Sequence, residues 1–373
     1  MKAFGVGCFH FALKDNMEKE ITVQEYMDEI KKSIQSLTSA SEFKISAAEY
    51  GRDQKINTSA PNPKINDGEP CYPAIEFLNL SLVLYIPSRI QAELIRVPET
   101  VLDTRTERFK ITMIHEWNGP VSYVECLSAE PHTHPSTAVQ VVREYLTKEF
   151  SKIDTFLVYD FLGPSPFHAD FYLQSQAPQE EKQTKFILNE IKSPAYNTLT
   201  FNYYNTDYPN EEKALHSLYE TISDELSFYY ELIRESQHNF ERWLEIQETT
   251  HTILHHEEHK KWRHLPKRLI EKPKLFKKVF KDIGLLKGHQ IFAKGTMETN
   301  YASIYKNGKT EYYLKSYIDQ EISERTQYPL NETSELISYF DQKNSRTFEL
   351  ITIVSAAILG GMTGSIITTA FGN

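Results

Sequence analysis

The sequence predicts an α/β or α+β cytoplasmic head with a mixed sheet and a helical hairpin, followed by one C-terminal transmembrane helix. Three observations carry that expectation. Short runs of branched and aromatic residues alternate with helix-period stripes through residues 1–205, two apolar seams follow across Glu211–Arg263, and the 22 residues Leu350–Phe371 hold no charge. The expected organisation is therefore an α/β head over 1–205 and a helical hairpin or stalk over 211–263. A basic amphipathic segment, a β-hairpin and a membrane-proximal helix occupy 264–346, and the transmembrane helix occupies 348–371.

Taken in order, Ala3–Leu13 reads as a first strand, and Thr22–Leu37 as a helix whose Val23, Tyr26, Met27, Ile30, Ile34 and Leu37 share one stripe. The polar, turn-rich stretch Arg52–Tyr72 reads as an exposed excursion. Glu76–Ile86, Phe109–His115 and Val121–Leu127 read as strands, the last two joined by a turn at Trp117-Asn-Gly-Pro120. A helix at Thr137–Phe150 precedes strands at Thr155–Phe161, Ala169–Leu173 and Leu199–Tyr204. Leu215, Leu218, Ile222, Leu226, Tyr229 and Ile233 form the first seam, and Phe240, Trp243, Leu244 and Ile246 the second, with a break expected near Arg234–His238. Ile291–Ala293 and Tyr301–Leu314 carry strand character, and Asn307-Gly308 marks a hairpin turn because both residues tolerate positive φ. A last helix is expected at about Glu332–Phe340.

As a helix the uncharged tail would run about 33 Å, enough to cross a hydrocarbon core. Thr352, Ala356, Gly360, Gly364 and Thr368 recur every fourth residue and give that helix a small face suited to packing against another copy. Lys343 and Arg346 precede the segment and no cation follows it, which places the head on the cytoplasmic side of a single-pass membrane protein. The expected partners are a lipid bilayer and a second copy of the terminal helix. The N-terminus lacks a signal-peptide pattern and reads as part of the head.

The 41 basic and 51 acidic residues give a formal charge of minus 10, but Lys260–Lys287 alone is strongly basic. An acidic remainder disfavours nucleic acid, whereas the basic segment could meet an anionic lipid or a small phosphate ligand. Within it Phe276, Val279 and Phe280 fall beside Lys277, Lys278 and Lys281, a pattern read first as lysine stems lying over protein and, as the alternative, as a membrane-surface helix. Cys8, Cys71 and Cys126 are odd in number and widely spaced, and read as buried thiols.

His251, His255 and His259 stack at four-residue intervals on a helix, which could hold a divalent transition metal or be a solvated helix face. The run is not HExxH, and no cofactor is required by any motif. His132-Thr-His134 reads as a rigid polar turn between prolines or as a converging pair. Asp154, Asp160, Asp170 and His168 lie near strand ends, where they could bind a cation or move a proton. No Walker loop, dinucleotide fingerprint or GxSxG elbow is present, so catalytic residues stay unassigned and enzyme activity is not the favoured reading. An α/β head, helical stalk and terminal span resemble some divalent-cation channels at the level of architecture, but the second span and pore-loop sequence are absent and no family is assigned. The leading expectation is a noncatalytic, tail-anchored oligomeric membrane sensor or scaffold. The alternative is an ion-conducting or membrane-permeabilizing assembly, with a membrane-bound hydrolase third.

Overall fold

A computed structural model describes residues 1–14, 21–47, 55–56, 77–102, 104–116, 119–127, 134–163, 167–177, 184–194, 196–258, 265–306, 311–346, 349 and 353. In chain order these form β1 (Lys2–Gly7), β2 (Phe9–Leu13), α1 (Val23–Gln35), β3 (Ala40–Ala47), β4 (Phe77–Tyr85), α2 (Ser88–Ile95), β5 (Arg108–Glu116), β6 (Gly119–Leu127) and α3 (Pro135–Phe150). Then come β7 (Leu157–Phe161), β8 (Ala169–Gln176), β9 (Ile187–Ile191), β10 (Asn197–Tyr204), α4 (Glu211–Glu258), α5 (Leu265–Lys306), α6 (Lys315–Ser323) and a helical stretch over 330–346. Two compact units result: residues 1–234 with 299–324, and residues 235–298 with 325–373.

The first unit is a mixed α/β domain around an eight-stranded sheet ordered β3-β4-β5-β6-β1-β8-β10-β9, parallel only at β8/β10. Alternation is clearest in β4, where Leu78, Leu80 and Leu82 point inward between Asn79 and Ser81. Leu78, Leu80, Leu82 and Leu84 of β4, with Phe109, Ile111 and Met113 of β5, join Tyr26, Ile30 and Ile34 of α1 and Val139, Val142 and Leu146 of α3 in one core. Thr22 starts α1 with a capping box, its hydroxyl accepting from Glu25 N while the Glu25 carboxylate accepts from Thr22 N. Where α3 crosses β1, a Cβ on Gly5 would stand 2.3 Å from the Pro135 carbonyl oxygen, so only glycine permits that approach. The opposite face of β1 and β6 is covered by the first half of α4: Tyr219 stacks on Tyr123 at 3.8 Å and meets Phe4 edge-on at 5.2 Å.

The expected single first strand is two, because the chain leaves the main sheet at Cys8 and β2 pairs instead with β7. The elements β3, α2, β9 and α6 were not expected. The break expected near Arg234–His238 is absent: α4 runs 48 residues without interruption, since nothing in Arg-Glu-Ser-Gln-His removes a helical hydrogen bond. Ile291–Ala293 and Tyr301–Lys306 are helical in α5, not strands, and residues 311–314 pair with no strand; the Asn307-Gly308 turn lies outside the described residues. So do most of Arg52–Tyr72, Trp117 and Asn118, and Cys71.

The membrane architecture is corrected as well. No helix among the described residues is long and apolar enough to cross a membrane. The helices α4 and α5 have the length but bear charged side chains along it, and 330–346 includes Glu332, Glu335, Asp341, Lys343 and Arg346. Of the uncharged tail only Ile353 is described, and Thr352, Ala356, Gly360, Gly364 and Thr368 lie outside the described residues. With this finding the single-pass topology, the tail-anchored sensor or scaffold, the conducting assembly, and lipid contact or self-association through a terminal span are not retained.

In the second unit, Ile246 and Ile253 of α4, Phe276, Val279, Ile283 and Leu286 of α5, and Leu330 and Ile337 of the last helical stretch close a small core. The apolar side of the basic segment is thus mostly turned inward.

Candidate ligand groove on the sheet

The outer side of β3–β6 mixes the buried apolar Val83, Ile114, Val121 and Tyr123 with a polar set that includes Ser81, Lys110, Thr112 and Glu125. Register aligns Lys44, Ser81, Thr112 and Tyr123 in one row across four strands, with Lys110 and Glu125 paired in the next. The start of α4 covers Tyr123 through Tyr219, and Asn210, Glu212, Lys213, Leu215, His216 and Tyr219 wall a groove against the strands. Its volume is about 300 Å³, at the low end for small-molecule sites. Asn210 fixes the start of α4 by accepting from Lys213 N at 2.9 Å.

Glu125 is the unusual member. The residue is only 2% exposed, Lys110 Nζ stands 3.5 Å from Oε1, too far for a strong charge-assisted hydrogen bond, and the buried Tyr219 phenol is its other polar neighbour. Burial raises its carboxyl above the ordinary range, the neighbouring lysines pulling the other way. Burial likewise holds the Tyr219 phenol well above its usual value, the Glu125 charge adding to the effect. The groove therefore presents lysine donors and hydroxyls around one under-satisfied carboxyl acceptor.

A second polar cluster lies in the first unit's interior. His10 of β2 and His115 of β5 meet edge to face with ring centroids 5.1 Å apart. His10 Nδ1 donates to the Phe11 carbonyl at 3.2 Å, and Tyr26 donates to that same oxygen. Burial lowers His10 to about 4 and His115 well below its usual value. Nearby, Arg234 Nη2 stands 3.5 Å from Cys8 Sγ, and burial raises the thiol to about 11, so this cysteine is not an activated nucleophile.

Of the residues singled out in the sequence, His251 and His255 are exposed one turn apart on α4, and His259 lies outside the described residues. Among the described residues no three His, Cys, Asp or Glu side chains gather as metal ligands. Phe276 and Val279 are core residues of the second unit, whereas Lys277, Lys278, Phe280 and Lys281 are exposed. Asp170 accepts from Ser136 N at 2.9 Å and pairs with His134 Nδ1 at 3.2 Å, so it ties the start of α3 to β8; His132 lies outside the described residues. Cys8 and Cys126 are buried free thiols.

Of the groove residues only Leu215 belongs to a pattern visible in the sequence, the first apolar seam. The available signal was a charge at an alternating position in two otherwise apolar runs, Lys110 in Phe-Lys-Ile-Thr-Met and Glu125 in Tyr-Val-Glu-Cys-Leu, but only the register shows that they pair. Comparison with protein families, with curated proteins and with solved structures finds no match to this chain.

Proposed function

We propose that the α/β unit is a noncatalytic binding module that holds a small hydroxy- or amino-carboxylate in the groove between β3–β6 and the start of α4. The observation that carries this reading is the juxtaposition of a buried, under-satisfied Glu125 with the row Lys44, Ser81 and Thr112. A carboxyl acceptor on the floor calls for a hydroxyl or ammonium donor on the ligand, because a desolvated acceptor without a partner costs about 1–3 kcal/mol. The lysines at the mouth call for an anionic group. Gluconate and serine meet both demands, and glucose meets only the first.

The test is a thermal-shift and calorimetric titration of the full chain with those three compounds. Gluconate or serine should raise the melting temperature saturably, by the linkage between binding and stability, and glucose should not. Lys44→Ala and Thr112→Val should each weaken that binding about tenfold. No shift with either carboxylate, or an undiminished one in both variants, would remove the groove as the binding site.

A further inference from the structure

The helix α5 is apolar on two sides. One side builds the second unit's core through Phe276, Val279, Ile283 and Leu286, while the side opposite carries Gly284, Leu285, Gly288, Ile291, Phe292 and Gly295. Ile291 is 74% exposed, Phe292 81% and Leu285 52%. A Cβ built on Gly284, Gly288 or Gly295 would meet nothing within 4 Å, so the glycines are open notches between exposed apolar side chains. Together these side chains leave on the order of 400 Å² of apolar surface in one patch, within the range of patches that mark interaction sites.

We propose that this face is a self-association surface, on which a second copy of the chain packs its own α5 antiparallel about a two-fold axis at Gly288. The helical repeat of 100° and 1.5 Å per residue fixes which residues then meet. Leu285 of one copy lies at the level and on the side of Phe292 of the other, Ile291 meets Gly284, and Phe280 meets Gly295. Each large side chain therefore has an apolar partner or a glycine notch, and the surface is complementary to itself, as an isologous contact requires.

Charge selects the direction. The same antiparallel register sets Lys277 against Glu298 of the second copy at both ends of the patch. Both residues are exposed, and neither forms an ion pair among the described residues. A parallel arrangement would instead bring Lys277 and Lys281 of one copy onto the same lysines of the other, and like charges so placed repel.

Sedimentation equilibrium of the purified full chain should give twice the 43.4 kDa chain mass. Phe292→Glu and Ile291→Glu should each raise the dimer dissociation constant at least about tenfold, with circular dichroism unchanged because both side chains are outside the core. Lys277→Glu should weaken the dimer, and the double variant Lys277→Glu/Glu298→Lys should restore it, which a merely hydrophobic contact in another register would not do. A monomeric parent overturns the proposal. A dimer indifferent to Phe292→Glu and Ile291→Glu, or adsorption of the parent to neutral phosphatidylcholine vesicles as a monomer, assigns the face to another occupant and overturns it as well.

Discussion

Glu225 and Glu125 are two glutamates of the first unit, each 2% exposed, and their surroundings differ in one respect that decides their roles. Glu225, on α4, accepts from the Tyr305 hydroxyl at 2.9 Å, Tyr313 N at 2.8 Å and Leu314 N at 3.1 Å. Glu125, on β6, has Lys110 at 3.5 Å and an oxygen with no hydrogen bond among the described residues. Burial is the leading cause that raises both carboxyls, so the pKa direction does not tell them apart. The donors do. A buried carboxyl ringed by backbone N–H groups is a structural tie, here holding 311–314 against α4, whereas Glu125 borders a groove with one cation 3.5 Å from the oxygen that lacks a hydrogen bond.

The largest expected effect follows on the Glu225 side. Glu225→Ala would leave two backbone N–H groups and a tyrosine hydroxyl without their acceptor, and each buried donor so stranded costs about 1–3 kcal/mol. Glu225→Gln keeps one acceptor oxygen and should cost less. Urea unfolding followed by fluorescence checks both, and a Glu225→Ala cost no greater than that of a surface substitution would dissolve the contrast between the two sites.

The same contrast explains what was legible in the sequence. The inner face of the sheet was, because Leu78-Asn-Leu-Ser-Leu alternates with period two and Val23, Tyr26, Met27 and Ile30 recur at helical spacing. The region around Glu225 was not, since its donors come from residues 80 or more positions away and no local pattern encodes that closure. There the hairpin expectation failed for a physical reason: Tyr301 and Tyr305 look β-prone in sequence, but at four-residue spacing their rings pack 4.7 Å apart on α5. The groove was hidden for a related reason, because Lys44, Ser81, Thr112 and Glu125 become neighbours only once four strands are in register. The terminal segment dominated the reading because an uncharged run is the most visible feature of a charged chain, and it lies almost wholly outside the described residues.

The buried histidines sharpen the comparison with an ionisable pair kept neutral. Burial lowers both His10 and His115 in the folded chain, so as pH falls below 6.5 the unfolded chain takes up protons that the folded chain refuses. Their contribution is complete above about pH 6.5 and is lost progressively toward pH 4 for His10 and lower still for His115. Between pH 7.5 and 5.5 the expected loss is on the order of 1 kcal/mol per ring. The measurement is the urea midpoint at both pH values in the parent and in His10→Gln, whose pH dependence over that interval should be about half as steep. An equal slope in parent and variant would show that His10 is not held neutral by its burial.

Glu125→Gln should have the smallest effect on stability and the most to say about function. The folded carboxyl is raised above its unfolded value, so the charged form is disfavoured in the folded chain and stability falls as pH rises through the folded value. Replacing the carboxyl by an amide removes that penalty, while the Lys110 contact it gives up is partly exposed and contributes little. The variant should thus match the parent near pH 4 and exceed it by roughly 1 kcal/mol or less at pH 7. A destabilised variant at pH 7 would place Glu125 with Glu225 as a structural tie. Because the amide keeps an oxygen acceptor, a hydroxylated carboxylate that only binds in the groove should still bind within about threefold, a change under 1 kcal/mol. If binding of gluconate persists but that of serine falls tenfold or more, the donor facing Glu125 is an ammonium group whose charge the carboxylate matches, and the groove discriminates amino from hydroxy acids at this one residue.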